Sequence, residues 1–238
     1  MNFYKEKIIF TGASGRFGRV FKKKYPLKNI LYPSRKELNI ENYLSVKKFL
    51  QKTKPKIVIH AAAISRPMNA HELWPAKSIR ANIVGTSYLA LICIEMNIKL
   101  IYFSTNYVYS SGSKDTKEDS PVLPINKYAL SKMGGECAVQ MCKNFLILRI
   151  YMSEKPFVHN QAYHDVIANF LYYDEVAKLI PKIISCKGIL NMAGKKQTIY
   201  SFAKLSKPYV KKISAKKILK KKYKRNLSIN IGKLNSLV

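Results

Sequence analysis

Residues 11–18 read TGASGRFG, directly behind the apolar run KIIF (7–10) and ahead of RVFKKKY (19–25). Gly12, Gly15 and Gly18 are spaced three apart between a strand-like and a helix-like segment. Glycines at that spacing let a backbone turn tightly, approach a pyrophosphate and pack a helix closely on its strand. An anion then rests on the free N–H groups of the helix start. A flexible turn accounts for the same octet if nothing else in the chain supports a nucleotide site, so the rest of the sequence must arbitrate.

Elements alternate regularly on both sides of this loop. Strand-like runs fall at 7–12, 29–34, 56–63, 99–109 and 145–150, with helical patterns at 16–24, 41–53, 76–96 and 126–143. Near-continuous apolar strands separated by amphipathic helices predict a parallel sheet covered on both faces, a doubly wound α/β fold. Its ligands bind at the carboxyl ends of the strands, where TGASGRFG lies. The stretch Asn39–Leu44 offers a cap for the second helix. Beyond Arg149 a helix is expected over 172–185, a late strand over 188–194 and a short helix over 199–205. The chain divides into a dinucleotide-binding part, 1–150, and a smaller substrate-side part, 151–238, lying on the sheet edge.

With 238 residues and 47% apolar content, the chain can build one good core. No apolar run is long enough to span a bilayer, and MNFYKEKIIF lacks a secretory layout. Cys93, Cys137, Cys142 and Cys186 form no CxxC and no regular framework, which fits free thiols in a reducing, cytosolic compartment. The charge is unusual: 43 basic residues against 13 acidic ones give +30, with every acidic side chain at or before Glu175. The segment 204–225 is lysine-rich and reads as a solvated surface or as a patch for nucleic acid or anionic membrane. Few arginines or aromatics are interleaved in it and no nucleic-acid-binding motif appears, so no specific nucleic-acid partner is expected.

Three further groups carry chemistry. Past the second strand stand Ser34, Arg35 and Lys36, where a carboxylate would repel a 2′-phosphate and an arginine would attract it. These favour NADP(H), unless they only open a solvated turn. Tyr128 and Lys132 are four apart on a helix, hence on one face about one turn apart. An ammonium beside a phenol lowers the phenol pKa from roughly 10 and prepares it for proton transfer. Ser104 and Thr105 sit at the carboxyl end of the fourth strand, where one hydroxyl, but not both, faces the same site.

In this order the elements resemble the extended, sugar-nucleotide-modifying branch of the short-chain dehydrogenase/reductase superfamily, and within it the dTDP-4-dehydrorhamnose reductase (RmlD-like) family. The matching stretches are TGASGRFG, VIHAAA (58–63), ANIVGT (81–86), FSTNYVY (103–109), the run 118–136 containing YALSK, LILRI (146–150) and GILNMAG (188–194). The resemblance implies a Rossmann fold, a nucleotide-sugar substrate, NADP(H) and a homodimer. It implies catalytic roles for Thr105 (carbonyl polarisation), Tyr128 (proton donor) and Lys132. It places Gly12, Ser14, Gly15, Arg16, Phe17, Gly18, Ser34, Arg35, Ala61, Ala62, Ala63 and Asn82 at the cofactor, along with Tyr128 and Lys132. Asn82 reads equally as a structural hydrogen-bonding residue, and His60 as a core or cofactor-side histidine. Asn106 and Tyr107 follow Thr105 where a 4,6-dehydratase carries Asp-Glu, so dehydration is not expected. A nucleotide-sugar 4-epimerase and a non-catalytic NADP-binding regulatory subunit remain the alternatives. Ser110-Ser111-Gly112 and RIYMSE (149–154) depart from the family patterns Asp-Gly and RTSWVY.

Overall fold

In the computed structural model, which describes residues 1–109 and 115–238, six parallel strands form the central sheet. They are β1 (Ile8–Thr11), β2 (Ile30–Leu31), β3 (Ile57–His60), β4 (Lys99–Thr105), β5 (Phe145–Ile150) and β6 (Gly188–Met192). Their spatial order is β6-β5-β4-β3-β1-β2. The chain reverses its direction of travel across the sheet between β1 and β3, and the crevice at that reversal is where a doubly wound sheet takes its ligand. Thr11 is in register with His60, and His60 with Tyr102, while β4 runs three residues further to Thr105. The motif at 110–112 lies outside the described residues.

Strand alternation divides the core in two. Ile8, Phe10, Ile57, Ile59, Ile101 and Phe103 project to one face, against α1 (Arg16–Lys24) and α5 (Tyr173–Ile183). Ile9, Val58, Leu100 and Tyr102 project to the other. That face is covered by α2 (Tyr43–Thr53), α3 (Gly85–Glu95) and α4 (Lys127–Gln140). Each fully buried Ile, Leu or Phe contributes about 1.5–3 kcal/mol, so the near-continuous apolar strands hold both helical layers. Because Thr11, His60 and Tyr102 share a parity with the second set, their side chains point toward α3 and α4.

The helices begin where the sequence provides caps. Asn42 accepts from Ser45 N–H at 2.8 Å to start α2, and Asn126 accepts from Ala129 N–H at 2.8 Å to start α4. Glu175 accepts from Tyr172 N–H at 2.6 Å and closes the first turn of α5. The segment expected as one helix over 76–96 is broken instead. After a short helix at Ala70–Leu73 it holds another at Pro75–Ser78, a π-helical stretch at Ile79–Val84, and then α3.

The sheet runs through the division expected at residue 150: β6 pairs with β5, and α5 packs on α1. The lysine-rich 204–225 segment is folded onto the body. Its strand Lys211–Ile213 pairs with Gln161–Tyr163, and Asp165 accepts from Ser214 Oγ and from the amides of Ala215 and Lys216 to cap the helix Ala215–Leu219. Among the described residues all four cysteines are free, no His/Cys/Asp/Glu group has metal-site geometry, and no helix is long and apolar enough to cross a membrane.

Candidate active site

The loop after β1 has the shape its glycines suggest. Gly12 has φ +82°, a left-handed conformation, and a Cβ there would meet Ala62 N at 2.6 Å and Ala61 C at 2.7 Å. A Cβ on Gly18 would collide with the Gly12 carbonyl and approach Ala13 Cα at 2.7 Å. The start of α1 is thereby pressed against the loop, beside the segment that follows β3. The first turn of α1 contains no acidic residue and Gly15 supplies no side-chain cap. Its amides are left free for an external anion, so the cradle fits a dinucleotide diphosphate.

Ser14, Gly15 and Arg16 are exposed on this loop, whereas the Phe17 side chain is buried in the core, 4.9 Å from the Phe103 ring. Phe17 thus has only its backbone to offer the cradle. Across the crevice Ala61, Ala62 and Ala63 are partly buried, and Ala62 N–H donates to Thr11 Oγ1 at 3.4 Å. Thr86 Oγ1 donates to the Asn82 carbonyl at 2.8 Å, so it accepts from His60 Nε2 at 3.1 Å. His60 Nδ1 is then unprotonated and accepts from Thr11 Oγ1 at 2.7 Å. Burial holds the His60 pKa down at about 3, with the Lys132 charge a smaller influence in the same direction. The ring is a neutral, fully bonded strut, and both nitrogens are occupied.

Asn82, in the π-helical stretch, is equally committed. Its Oδ1 accepts from Ile64 N–H at 2.8 Å, and its Nδ2 donates to Ile64 O and to Ser131 Oγ, both at 2.9 Å. It fastens the strand extension after β3 to α4, one residue before Lys132. The Asn82 side chain is wholly buried, with its amide engaged by these internal partners.

Tyr128 and Thr105 meet at the carboxyl end of β4, and Lys132 lies one turn further along α4. Burial and the neighbouring Tyr107 raise the Tyr128 phenol above its ordinary 10.0, while the Thr105 hydroxyl and the Arg66 charge work against that rise. The Tyr107 ring stands edge-on to Tyr128 at 6.5 Å and the His71 ring lies at 5.0 Å. Alternation separates the two hydroxyls as expected: Thr105 Oγ1 accepts from Tyr107 N–H at 3.3 Å beside Tyr128, and Ser104 Oγ donates to Glu136 on the α4 side.

Lys132 is almost wholly buried, with Nζ 4.0 Å from the Tyr102 ring centroid. Burial lowers its pKa to about 7, and the Glu136 carboxylate opposes the fall. The expectation that the ammonium pulls down the phenol pKa is not met. Both side chains share a helical face, but no hydrogen bond joins them and Lys132 turns under Tyr102 instead. Its Nζ has no hydrogen-bond acceptor among the described residues, so its three N–H donors are available to a ligand.

Glu136, one further turn along the same face, escaped the sequence reading, although its i+4 spacing from Lys132 was a usable signal. It is 1% exposed, and Arg149 donates to it through Nε at 3.2 Å and Nη2 at 2.8 Å. Arg66 and Glu154, from two loops at the crevice rim, carried no such signal. Ser34 and Arg35 are exposed, and each already holds an internal carboxylate. Glu37 Oε2 accepts from Ser34 N–H at 2.7 Å and from Ser34 Oγ at 2.8 Å, and Glu41 accepts from Arg35 Nη2 at 2.8 Å.

Residues 6–164 match the family model described as RmlD substrate binding domain. The chain belongs to the RmlD substrate binding domain family. Among curated relatives, methionine adenosyltransferase 2 subunit beta of Xenopus laevis is 32% identical over 155 residues, 60% of this chain and 46% of that protein. The dTDP-4-dehydrorhamnose reductase of Mycolicibacterium smegmatis is 30% identical over 142 residues, 58% of this chain and 42% of that protein. The matched region thus spans less than half the length of either relative. Among solved structures, Bacillus anthracis dTDP-4-dehydrorhamnose reductase in complex with NADP superposes with a TM-score of 0.83. The two share 24% identity, covering 98% of this chain and 94% of that one. The family thus extends through the two parts of the chain that form the glycine loop and the Tyr-Lys helix.

Proposed function

We propose that the protein is an NADPH-dependent reductase of a 4-keto-6-deoxy nucleotide-sugar, of the dTDP-4-dehydrorhamnose reductase type. The observation that carries this reading is the Thr105 hydroxyl on the Tyr128 phenol at the carboxyl end of β4, with Lys132 one turn further along the same helix. NADPH, when bound, supplies the hydride. Tyr128 donates its proton to the carbonyl oxygen as negative charge develops there, and Thr105 hydrogen-bonds the same oxygen. Lys132 offers its free N–H donors to the nicotinamide ribose. Asn106 and Tyr107 provide no acid–base pair for elimination, which favours reduction over dehydration.

Gly12, Gly15 and Gly18, with the amides of Ser14, Arg16 and Phe17, hold the dinucleotide diphosphate, and Ala61, Ala62 and Ala63 border the ribose. Asn82 and His60 act by position, fixing the segment after β3. Preference for NADP(H) over NAD(H) rests on Ser34 and Arg35, in competition with Glu37 and Glu41. Residues 151–238 bind the sugar nucleotide. The test is NADPH oxidation with dTDP-4-keto-6-deoxy sugars by the wild-type protein and Tyr128→Phe. The proposal expects turnover in the first and its near loss in the second.

A second reading starts from the similarity to a protein named as a subunit, methionine adenosyltransferase 2 subunit beta, and takes this chain as a non-catalytic NADP-binding regulatory subunit. It predicts tight NADP binding with no turnover on any nucleotide-sugar. The complete Thr105, Tyr128 and Lys132 set favours the reductase.

A further inference from the structure

One carboxylate oxygen at the rim of the crevice holds two guanidinium groups. Glu154 Oε1 accepts from Arg16 Nη1 at 3.2 Å and from Arg66 Nη1 at 3.3 Å. The three residues come from different segments: Arg16 opens α1, Arg66 follows the extension of β3, and Glu154 follows β5. All three segments leave the carboxyl ends of strands, so the cluster spans the mouth of the site. Two positive charges against one negative leave a net positive rim, and the side chains are 47%, 38% and 27% exposed, open to an incoming ligand.

Arg66 lies nearer the chemistry than Arg16 does. Its charge reaches the phenols of Tyr128, Tyr107 and Tyr173, whereas that of Arg16 is felt at Tyr173. Arg16 stands at the glycine cradle, where the dinucleotide diphosphate belongs. Of the two guanidinium groups on Glu154 Oε1, that of Arg66 is the one whose charge is felt at Tyr128, where the reductase reading puts the keto carbon of the sugar nucleotide. A guanidinium offers a planar fork that matches phosphate oxygens bidentately.

We propose that Arg66 binds the diphosphate of the nucleotide-sugar, and that Glu154 is an internal carboxylate which holds Arg66 at the rim until that diphosphate displaces it. This rests on the reductase reading above. It also explains why an exposed loop carries an arginine tied back to a distant segment. The tie keeps the side chain extended over the mouth, which lowers the entropy lost on capture. Glu154, freed by the exchange, keeps Arg16 as its partner.

The test measures binding separately for the two diphosphates. NADPH is titrated by fluorescence, and thymidine diphosphate is titrated calorimetrically into protein saturated with NADP+. Arg66→Gln is expected to weaken thymidine diphosphate about tenfold or more, with NADPH unchanged within about twofold, and Arg66→Lys to recover part of the loss. Glu154→Gln removes the competitor and is expected to tighten thymidine diphosphate several-fold. Wild-type thymidine diphosphate affinity in Arg66→Gln, an equal loss of both ligands, or weaker nucleotide binding in Glu154→Gln would overturn the proposal. Failure of the wild-type protein to bind NADPH would instead remove the reductase reading on which it stands.

Discussion

Lys132 should destabilise the fold that contains it. Burial holds its pKa at about 7, against 10.5 for a free lysine. Below pH 7 both the folded and the unfolded chain carry the proton, and the folded chain bears the full cost of the desolvated ammonium. Between about 7 and 10.5 the unfolded chain binds more protons than the folded one, so stability rises with pH across that window. At about 1.4 kcal/mol per unit the displacement amounts to roughly 5 kcal/mol, with Glu136 already offsetting part of the burial. Lys132→Met keeps the chain length and the apolar contact with Tyr102 while removing the charge. Urea unfolding of the wild-type protein and the variant, from about pH 6.5 to 9.5, isolates the effect, because the other lysines are common to both. The variant is expected to be more stable by a few kcal/mol at the acid end, with the gap closing toward the alkaline end. Parallel curves, or a variant less stable near pH 6.5, would refute the reasoning. The same substitution is expected to abolish turnover, a stability cost retained for function.

Other substitutions probe the remaining parts of the site. Tyr128→Phe should lower kcat by 10²–10⁴-fold, roughly the contribution of a positioned general acid, while NADPH binding measured by fluorescence stays near the wild-type value. Glu136→Gln should deepen the fall in the Lys132 pKa and move the pH profile of kcat toward acid; an unmoved profile would reduce Glu136 to a purely structural partner of Arg149. Glu37→Gln takes a negative charge from Ser34 and should raise the NADPH-to-NADH affinity ratio several-fold, read by titrating each cofactor in turn. Gly18→Ala drives a methyl group into the Gly12 carbonyl and should cost dinucleotide affinity at least tenfold by calorimetry.

What the sequence made legible follows from local physics. The five apolar runs became β1 to β5 and the alternation of Ile8, Ile9 and Phe10 between two faces follows from strand geometry alone. Tyr128 and Lys132 on one helix face, and the split between Ser104 and Thr105, were accessible for the same reason. The failures arise where tertiary contacts override periodicity. The run 76–96 reads as one helix, yet its register is reset around Asn82, whose amide is used between Ile64 and Ser131. The second strand shrinks to Ile30–Leu31 ahead of Pro33, and the fourth stops at Thr105 because Asn106–Val108 turns there, with Tyr107 N–H on Thr105 Oγ1. Spacing also suggested that Lys132 acts directly on the phenol, whereas the face of Tyr102, supplied by a different element, captures the ammonium. Arg66 and Glu154 were invisible because loop-to-loop pairing leaves no period in a sequence, whereas Glu37 and Glu41 stand three and six residues past Ser34 and Arg35 and were within reach of a local reading.

The central claim is that Tyr128 and Lys132 serve a hydride transfer from a dinucleotide held on the TGASGRFG loop. Its most direct test is a single-turnover reaction of dTDP-4-keto-6-deoxy sugar with NADPH carrying deuterium at the transferable C4 position, read by mass spectrometry of the sugar. The account predicts one deuterium on the sugar C4 with the wild-type protein and almost none with Tyr128→Phe, although both bind NADPH. Tight NADPH binding by the wild-type protein with no deuterium on any nucleotide-sugar would contradict it.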